Sequence, residues 1–502
     1  MLKPILCVLA VMVAATMGFA AHAREVAGYW TGVLNGRIHL VVHLAKTSGG
    51  TYQGSIENTD NESGPVPLSA VVAEAGNLHL VADQVGGHYE GKWDARQRAW
   101  IGKWTMQGQT LPLVLVHADA PPPSPKNTPR PQDEAIARGP LPYSQRDIRF
   151  ENRAAHVTLA GALTIPPGKG PFPAVVLISG TGANTRDEVS AGHRIFLVLA
   201  DALTRKGILV LRYDKRGVGS STGDYGTATT TDFASDAKAA VDWLAGQRNV
   251  DPRHIGVIGH SEGGVIAPMV AVVDKRVAFV VMLAGPGVRG DKLFVEQAAE
   301  VALASGAPRS YVEKRRAFDR SLYAAVVDAP DHAAAARNVK AIVARGLAQK
   351  IVEPKEAETL PDDVTRPWMT QFLKLDPAVA LRKLDVPALA LNGSLDLAVP
   401  AALNLPAIRN ALKHDPDATV VELPGLNHLF QDAKTGAPSE FARIPETMAP
   451  SALALIADWV RKHSGPACNA IHRANVAPSH PTVAAARVCA RSAAMGRSRW
   501  VA

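Results

Sequence analysis

The chain has 502 residues, 47% hydrophobic and 20% charged, which is enough apolar material for a large core and too long for one ordinary domain. A formal net charge of +8 would suit a nucleic-acid binder, yet Gly465 to Ala502 carries Arg473, Arg487, Arg491, Arg497 and Arg499 with no acid. Much of the excess therefore sits in a Pro/Ala/Ser-rich basic tail, 465–502, that reads as disordered, and the charge argument for a nucleic-acid partner falls away.

Taken in chain order, Met1 to Ala23 has Lys3 in a charged start, an apolar stretch from Ile5 to Ala20 and the small-x-small sequence Ala21-His22-Ala23, the pattern of a cleaved secretory signal peptide. The apolar stretch is short for a span of about 20 residues, so the expectation is a secreted or periplasmic protein with no stable membrane span. Cys7 lies too early for lipoprotein attachment. Cys468 and Cys489 fall in the tail, where an oxidising compartment could pair them with each other, but no disulfide can staple the folded body.

Residues 24–118 open on Gly28-Tyr29-Trp30-Thr31-Gly32 and continue as short alternating runs, with Ile38, Leu40, Val42 and Leu44 on one face, separated by Gly, Asn and Asp turns. This predicts a small antiparallel all-β barrel or sandwich. Trp30, Trp93, Trp100 and Trp104 are expected to fill its core and not a sugar-stacking face. His39 and His43 share a strand face but stand about 13 Å apart along it, too far for one metal ion. Ala120-Pro121-Pro122-Pro123-Ser124-Pro125 then opens a linker, 119–143.

From 144 to 464 the pattern changes. Two expected antiparallel strands, Ile148 to Asn152 and Val157 to Ile165, precede unbroken apolar runs at 174–178, 208–211, 255–258, 279–283, 387–391 and 420–423, spaced by helical stretches. Such runs predict a mostly parallel sheet covered by helices on both faces. A long helical segment at about 291–385 interrupts the spacing and is expected to insert above the strand ends as a lid.

The chemistry gathers at three strand ends. Gly259-His260-Ser261-Glu262-Gly263 follows an apolar run and reads as a G-x-S-x-G elbow, a sharp strand-to-helix turn with a nucleophilic serine at its apex. A serine hydroxyl is a weak nucleophile at neutral pH and needs a base, and the base an orienting acid, in the chain order Ser, Asp, His. Asp396, leaving the strand that ends at Leu391, and His428, after the last strand, satisfy that order. His260 is a rival base and Asp214 a rival acid, but the first points away from Ser261 and the second lies on the wrong side of it in sequence. Donors for an oxyanion, worth about 3 kcal/mol each, are expected from the backbone N–H of Glu262 and of Thr181 in the loop Ser179-Gly180-Thr181-Gly182, with Gly182 as second choice.

The glycine-rich run from Arg212 to Gly223 imitates a dinucleotide fingerprint with the wrong spacing and reads as a structural turn, with Asp214 and Arg216 paired. Trp368, Met369 and Phe372 share one helical face in the insertion and are candidates for the substrate pocket.

These residues resemble the α/β-hydrolase superfamily of serine hydrolases, in particular a secreted esterase branch related to the serine aminopeptidases. The resemblance rests on the Ser-Gly-x-Gly loop running into Arg186-Asp187-Glu188, the Tyr-Asp-Lys-Arg-Gly-x-Gly turn from Tyr213 to Gly219, the Gly-His-Ser-Glu-Gly-Gly elbow and the N-terminal Gly-x-Trp-x-Gly. It implies an α/β-hydrolase fold and hydrolysis of small carboxylic esters with short acyl groups, with no metal or organic cofactor. An aminopeptidase or amidase with the same three residues is the first alternative, and the acidic run Glu353, Glu356, Glu358, Asp362, Asp363 its candidate amine-binding patch. An envelope-binding protein with a vestigial hydrolase domain is the second. Oligomeric state stays open.

Overall fold

The computed structural model describes residues 26–34, 38–58, 65–106, 109–119 and 128–465. The expected signal peptide, all three cysteines and the expected tail beyond Gly465 lie outside the described residues. The chain forms two units that divide near Pro122.

The first unit is one antiparallel sheet. Its strands are β1 (Gly28–Leu34), β2 (Ile38–Lys46), β3 (Tyr52–Asn58), β4 (Val66–Pro67), β5 (Ala70–Glu74), β6 (Asn77–Ala82), β7 (Gly87–Asp94), β8 (Ala99–Met106) and β9 (Gln109–Ala118), in the spatial order β4-β3-β2-β1-β9-β8-β7-β6-β5. Side chains alternate across a strand, so Leu40, Val42 and Leu44 of β2 and Trp100 and Trp104 of β8 fall on the buried face. Trp30 meets Trp93 and Trp100 edge-on at 5.9 and 6.1 Å. The tryptophans therefore fill the concave side of a half-barrel, as the core reading expected, and the sheet curls on itself without pairing into a two-sheet sandwich.

The second unit begins before its expected boundary. Helix α1 (Pro131–Arg138) lies inside the predicted linker, yet its Ile136 packs on Leu197 and Val198. Arg130 donates to the carbonyls of Ala442 and Ile444 at 2.8 and 3.1 Å, and Gln132 to that of Met448 at 2.8 Å. The segment from 128 on is polar because its side chains hold distant backbone, and it belongs to the hydrolase body.

The elements that follow are β10 (Ser144–Asn152), β11 (Val157–Ile165), β12 (Phe172–Ile178), the ribbon β13 (Val189–Ser190) and β14 (His193–Arg194), α2 (Ile195–Arg205), β15 (Leu209–Tyr213), α3 (Thr230–Ala245), β16 (Val250–His260), α4 (Glu262–Val273) and β17 (Val277–Leu283). The insertion supplies α5 (Gly290–Ala304), α6 (Arg309–Val327), α7 (His332–Ala348), α8 (Pro354–Thr365), α9 (Pro367–Lys374) and α10 (Ala378–Leu381). The chain closes with β18 (Ala388–Gly393), α11 (Ala401–Ala411), β19 (Thr419–Leu423), α12 (Pro438–Phe441) and α13 (Pro450–His463).

Eight of these strands form a sheet in the order β10-β11-β15-β12-β16-β17-β18-β19, antiparallel through β15 and parallel from there on. Successive residues of each central strand enter opposite cores. Ile255 and Val257 of β16 pack with α3, α4 and α11, whereas Ile258 packs with α2 and α13. Burying a Val, Leu or Ile side chain stabilises by about 1.5–3 kcal/mol, and here both faces of the strand are buried, which is why the sequence shows runs and no alternation. The helical insertion has its own small core of Phe318, Leu322, Val326, Val339, Val343 and Leu373. This is the α/β-hydrolase fold with a helical lid, preceded by an all-β unit.

The topology also makes a crevice. From β12 the chain passes through α2 to β15 on one side, while from β16 it passes through α4 to β17 on the other, and α2 and α4 cover opposite faces. The loops after β12 and β16 therefore part at the carboxyl ends of neighbouring strands, where open α/β sheets bind ligands.

Candidate active site

Ser261 stands between β16 and α4 with φ 53° and ψ −119°. A non-glycine residue there stores strain of about 1–3 kcal/mol, and the surroundings hold it: Ser261 N–H donates to Leu283 O at 2.8 Å and Gly264 N–H to Ser261 O at 2.8 Å. The turn closes so tightly that a Cβ on Gly259 would strike the backbone of Gly263, and one on Gly263 the carbonyl of Ile178. Only glycine fits at either position.

The other two predicted residues arrive from the ends of β18 and β19, beyond β17 in the same sheet. Asp396 follows β18 and is buried, one carboxylate oxygen accepting the N–H groups of Ala398 and Val399 at 2.9 and 2.8 Å. Its other oxygen is 2.9 Å from Nδ1 of His428, which fixes the ring and leaves Nε2 as its second nitrogen. The His428 loop is shaped by Asn427, whose side-chain oxygen Oδ1 accepts from the N–H groups of Leu429 and Gln431 at 3.0 Å each. Ser261, His428, Thr181 and Glu262 line one cavity of about 400 Å³. The Ser261 hydroxyl makes no hydrogen bond to His428 in this resting arrangement, a contact that in such sites often tightens only with substrate.

The rivals have other partners. His260 is buried beneath the elbow, with Nδ1 3.0 Å from Glu188 and Nε2 3.0 Å from the carbonyl of His428. Asp214 pairs with Arg186 and not with Arg216: Arg186 donates to it through its backbone N–H, Nε and Nη2 at 2.8, 3.1 and 2.9 Å. Burial alone would raise the Asp214 pKa, but these bonds hold it below the ordinary carboxylate range. Arg216 instead grips Asp236 at 2.7 and 2.8 Å. Asp214 and Arg216 stand two residues apart yet each is held by a partner from a distant segment, so closeness in sequence does not make the pair.

The pocket residues divide. Phe372 lines the cavity with Leu293, Phe294 and Val399, but Trp368 and Met369 do not. Trp368 stacks on Phe372 at 5.2 Å and donates its Nε1–H to the Glu262 carboxylate at 2.7 Å, while Met369 packs into the core of the lid. All three share a helical face; the angle at which α9 docks turns only one of them into the cavity.

Sequence reasoning missed what lies behind the elbow. The Glu262 side chain is buried and accepts from Lys215 Nζ at 3.2 Å, Thr230 Oγ1 at 2.7 Å and Trp368. Lys215 Nζ also donates to Gly180 O at 2.6 Å and sits 4.2 Å over the Phe233 ring. Lys215 was visible in the Tyr-Asp-Lys-Arg-Gly turn; that its partner is the residue after Ser261 was not. Among the described residues no group of three His, Cys, Asp or Glu side chains could hold a metal ion.

Comparison with known proteins adds the relationship. Residues 155–405, half of the chain, match the X-Pro dipeptidyl-peptidase (S15) family. Esterase EstD of Thermotoga maritima is 37% identical over 147 residues, covering 29% of this chain and 34% of that protein. An uncharacterized protein of Mycobacterium tuberculosis is 34% identical over 149 residues, covering 28% and 48%. The chain thus spans less than half the length of these curated relatives. Among solved structures, the α/β hydrolase GrgF from Penicillium sp. sh18 is 18% identical with a TM-score of 0.41, covering 64% of this chain and 99% of that one. The Pyrococcus furiosus esterase Pf2001 is 15% identical with a TM-score of 0.40, covering 64% and 92%. On the extent of the family match, this hydrolase-fold chain belongs to the X-Pro dipeptidyl-peptidase (S15) family.

Proposed function

We propose that the chain is a serine carboxylesterase acting on small esters with short acyl groups. The observation that carries the reading is the Asp396–His428 hydrogen bond, which leaves His428 Nε2 for a cavity that Ser261 shares. In this mechanism His428 takes the Ser261 proton as Oγ attacks the ester carbonyl, and the N–H groups of Thr181 and Glu262 hold the oxyanion. Collapse breaks the ester C–O bond, the alcohol leaves with the proton from His428, and water repeats the sequence on the acyl-enzyme. The N-terminal apolar stretch supports export to the periplasm or medium.

The family name and the first alternative raise a peptidase reading, which requires an anionic group to receive a free amine. Two carboxylates border the cavity, and both side chains are buried: Glu188 meets Gly180 and His260 through Oε1 and keeps Oε2 buried without a hydrogen-bond partner, and Glu262 is engaged by Lys215, Thr230 and Trp368. The acidic run on α8 is not in the cavity wall, and its Glu356 is paired with Arg315 at 2.7 Å. The remaining wall is largely apolar, which favours an acyl group.

The test sets p-nitrophenyl acetate and butyrate against X-Pro and aminoacyl p-nitroanilides. Ester turnover should dominate and disappear in Ser261→Ala and His428→Ala, by on the order of a millionfold. Anilide turnover above ester turnover would replace this reading with the peptidase one. Failure of Ser261 to react with a fluorophosphonate would point instead to the vestigial domain.

A further inference from the structure

A second carboxylate–imidazole pair lies directly behind Ser261, and the proposed reaction does not use it. The side chains of Glu188 and His260 are each 5% exposed and meet at 3.0 Å through Oε1 and Nδ1. The same Glu188 oxygen accepts the Gly180 N–H at 2.6 Å, and the other His260 nitrogen lies 3.0 Å from the His428 carbonyl. Both neighbours of the ring are acceptors, and an imidazole donates at both nitrogens only when protonated. Burial pushes the His260 pKa down, but the charge and hydrogen bond of Glu188, and then the His428 carbonyl, raise it overall.

The contacts make a continuous path, from Gly180 N–H through Glu188 and His260 to the His428 carbonyl. One end is the loop that carries Thr181; the other is the loop that carries His428. Glu188 reaches this place with φ 46°, a left-handed conformation that strains a side-chain-bearing residue by about 1–3 kcal/mol and persists only where the surroundings hold it.

We propose that Glu188 and His260 are a positioning couple, distinct from Ser261, Asp396 and His428, that fixes the oxyanion loop and the His428 loop at one mutual distance. The inference rests on the roles given to Thr181 and His428 above. A carboxylate suits this place because one oxygen accepts from both Gly180 and His260 while its charge offsets an imidazole that donates at both nitrogens. In Glu188→Gln the amide presents either oxygen or nitrogen at that point: with oxygen there, the couple has lost its negative charge beside a buried imidazolium, and with nitrogen there, the Gly180 N–H has no acceptor.

The experiment measures kcat, KM and thermal midpoint for p-nitrophenyl butyrate in Glu188→Gln, His260→Gln and the double variant, with Ser261→Ala alongside. Misplacing reacting groups by about 1 Å can cost on the order of 100-fold, so each single variant should lose kcat by about 10- to 100-fold with KM changed less than about threefold. The double variant should be no worse than the poorer single one, because one broken path cannot be broken twice. Folded variants with wild-type kcat, losses that multiply, or a change confined to KM overturn the proposal. Should the glutamine variants not fold, His260→Asn, which keeps a donor towards Glu188 but not towards His428, must show the same kcat loss. If it too is unfolded, the pair is structural and the proposal fails. Retained turnover in Ser261→Ala would sink the reading of the site itself, whereas a dead Ser261→Ala beside fully active couple variants would sink the couple alone.

Discussion

Asp396 does two things with two oxygens, and they can be separated. One oxygen orders its own loop through the N–H groups of Ala398 and Val399, and the other holds Nδ1 of His428. Asp396→Asn can keep the first contact while favouring the wrong imidazole tautomer, so the fold should survive and kcat should drop by on the order of ten-thousand-fold. A loss below about tenfold would show that His428 is oriented by something else. The Arg186–Asp214 pair gives a stability prediction of defined sign. Asp214 is held below its unfolded pKa of about 3.9, so the pair contributes in full above that value and its contribution fades as pH falls through the folded pKa. Asp214→Asn should cost about 3 kcal/mol near neutrality, and its thermal midpoint should converge on that of the wild type in acid. A gap that stays constant down the pH scale would mean that the carboxylate's charge is not what stabilises. Ser261, Asp396 and His428 were legible because each follows its own apolar run within a few residues. Glu188 with His260, and Lys215 with Glu262, were not, since these partners are 72 and 47 residues apart and nothing local marks them.

Elements set which neighbours reach the cavity. The helical periodicity of 367–374 correctly grouped Trp368, Met369 and Phe372, but the face is divided between the cavity, the Glu262 carboxylate and the lid core. Docking angle is a tertiary quantity and leaves no trace in the spacing. The lid should therefore tune selectivity through Phe372. Phe372→Ala enlarges the cavity and should move the optimum from butyryl towards octanoyl esters, whereas Trp368→Phe keeps a ring against Phe372, removes one donor from buried Glu262, and should lower turnover without moving that optimum. Rates across an acetyl-to-palmitoyl series decide it: a shift in Trp368→Phe with none in Phe372→Ala reverses the assignment. The sheet itself was the most legible element, because burial on both faces demands unbroken apolar strands.

At the scale of the molecule, the hydrolase body is closed by a segment that reads as linker. Gln132 accepts the N–H groups of Thr447 and Met448 at 2.7 and 3.1 Å, and Asp133 takes the Arg194 N–H at 3.1 Å and the Thr447 hydroxyl. From the loop so held, Glu446 O accepts from Gln431 Nε2 at 2.8 Å, and Gln431 Oε1 accepts from Asn427 Nδ2 at 2.9 Å, next to His428. The start of the body is thus tied, through backbone and side-chain amides, to the loop that carries His428. Pro-rich sequence hid this, since a side chain that bonds remote backbone looks the same as one that bonds water. A chain starting at Thr128 should keep the thermal midpoint and turnover of the full one, because the two units have separate cores. Starting at Ser144 removes these bonds, each worth about 1 kcal/mol, and since 1 kcal/mol shifts the midpoint by roughly 2–4 °C in a body of about 150–250 residues and by less in a larger one, the midpoint should fall by on the order of 10 °C. Turnover should fall with it, through a loosened His428 loop and not through the cavity, so KM should move less than kcat. Equal midpoints for the two starts would show that α1 rests on the body without supporting it.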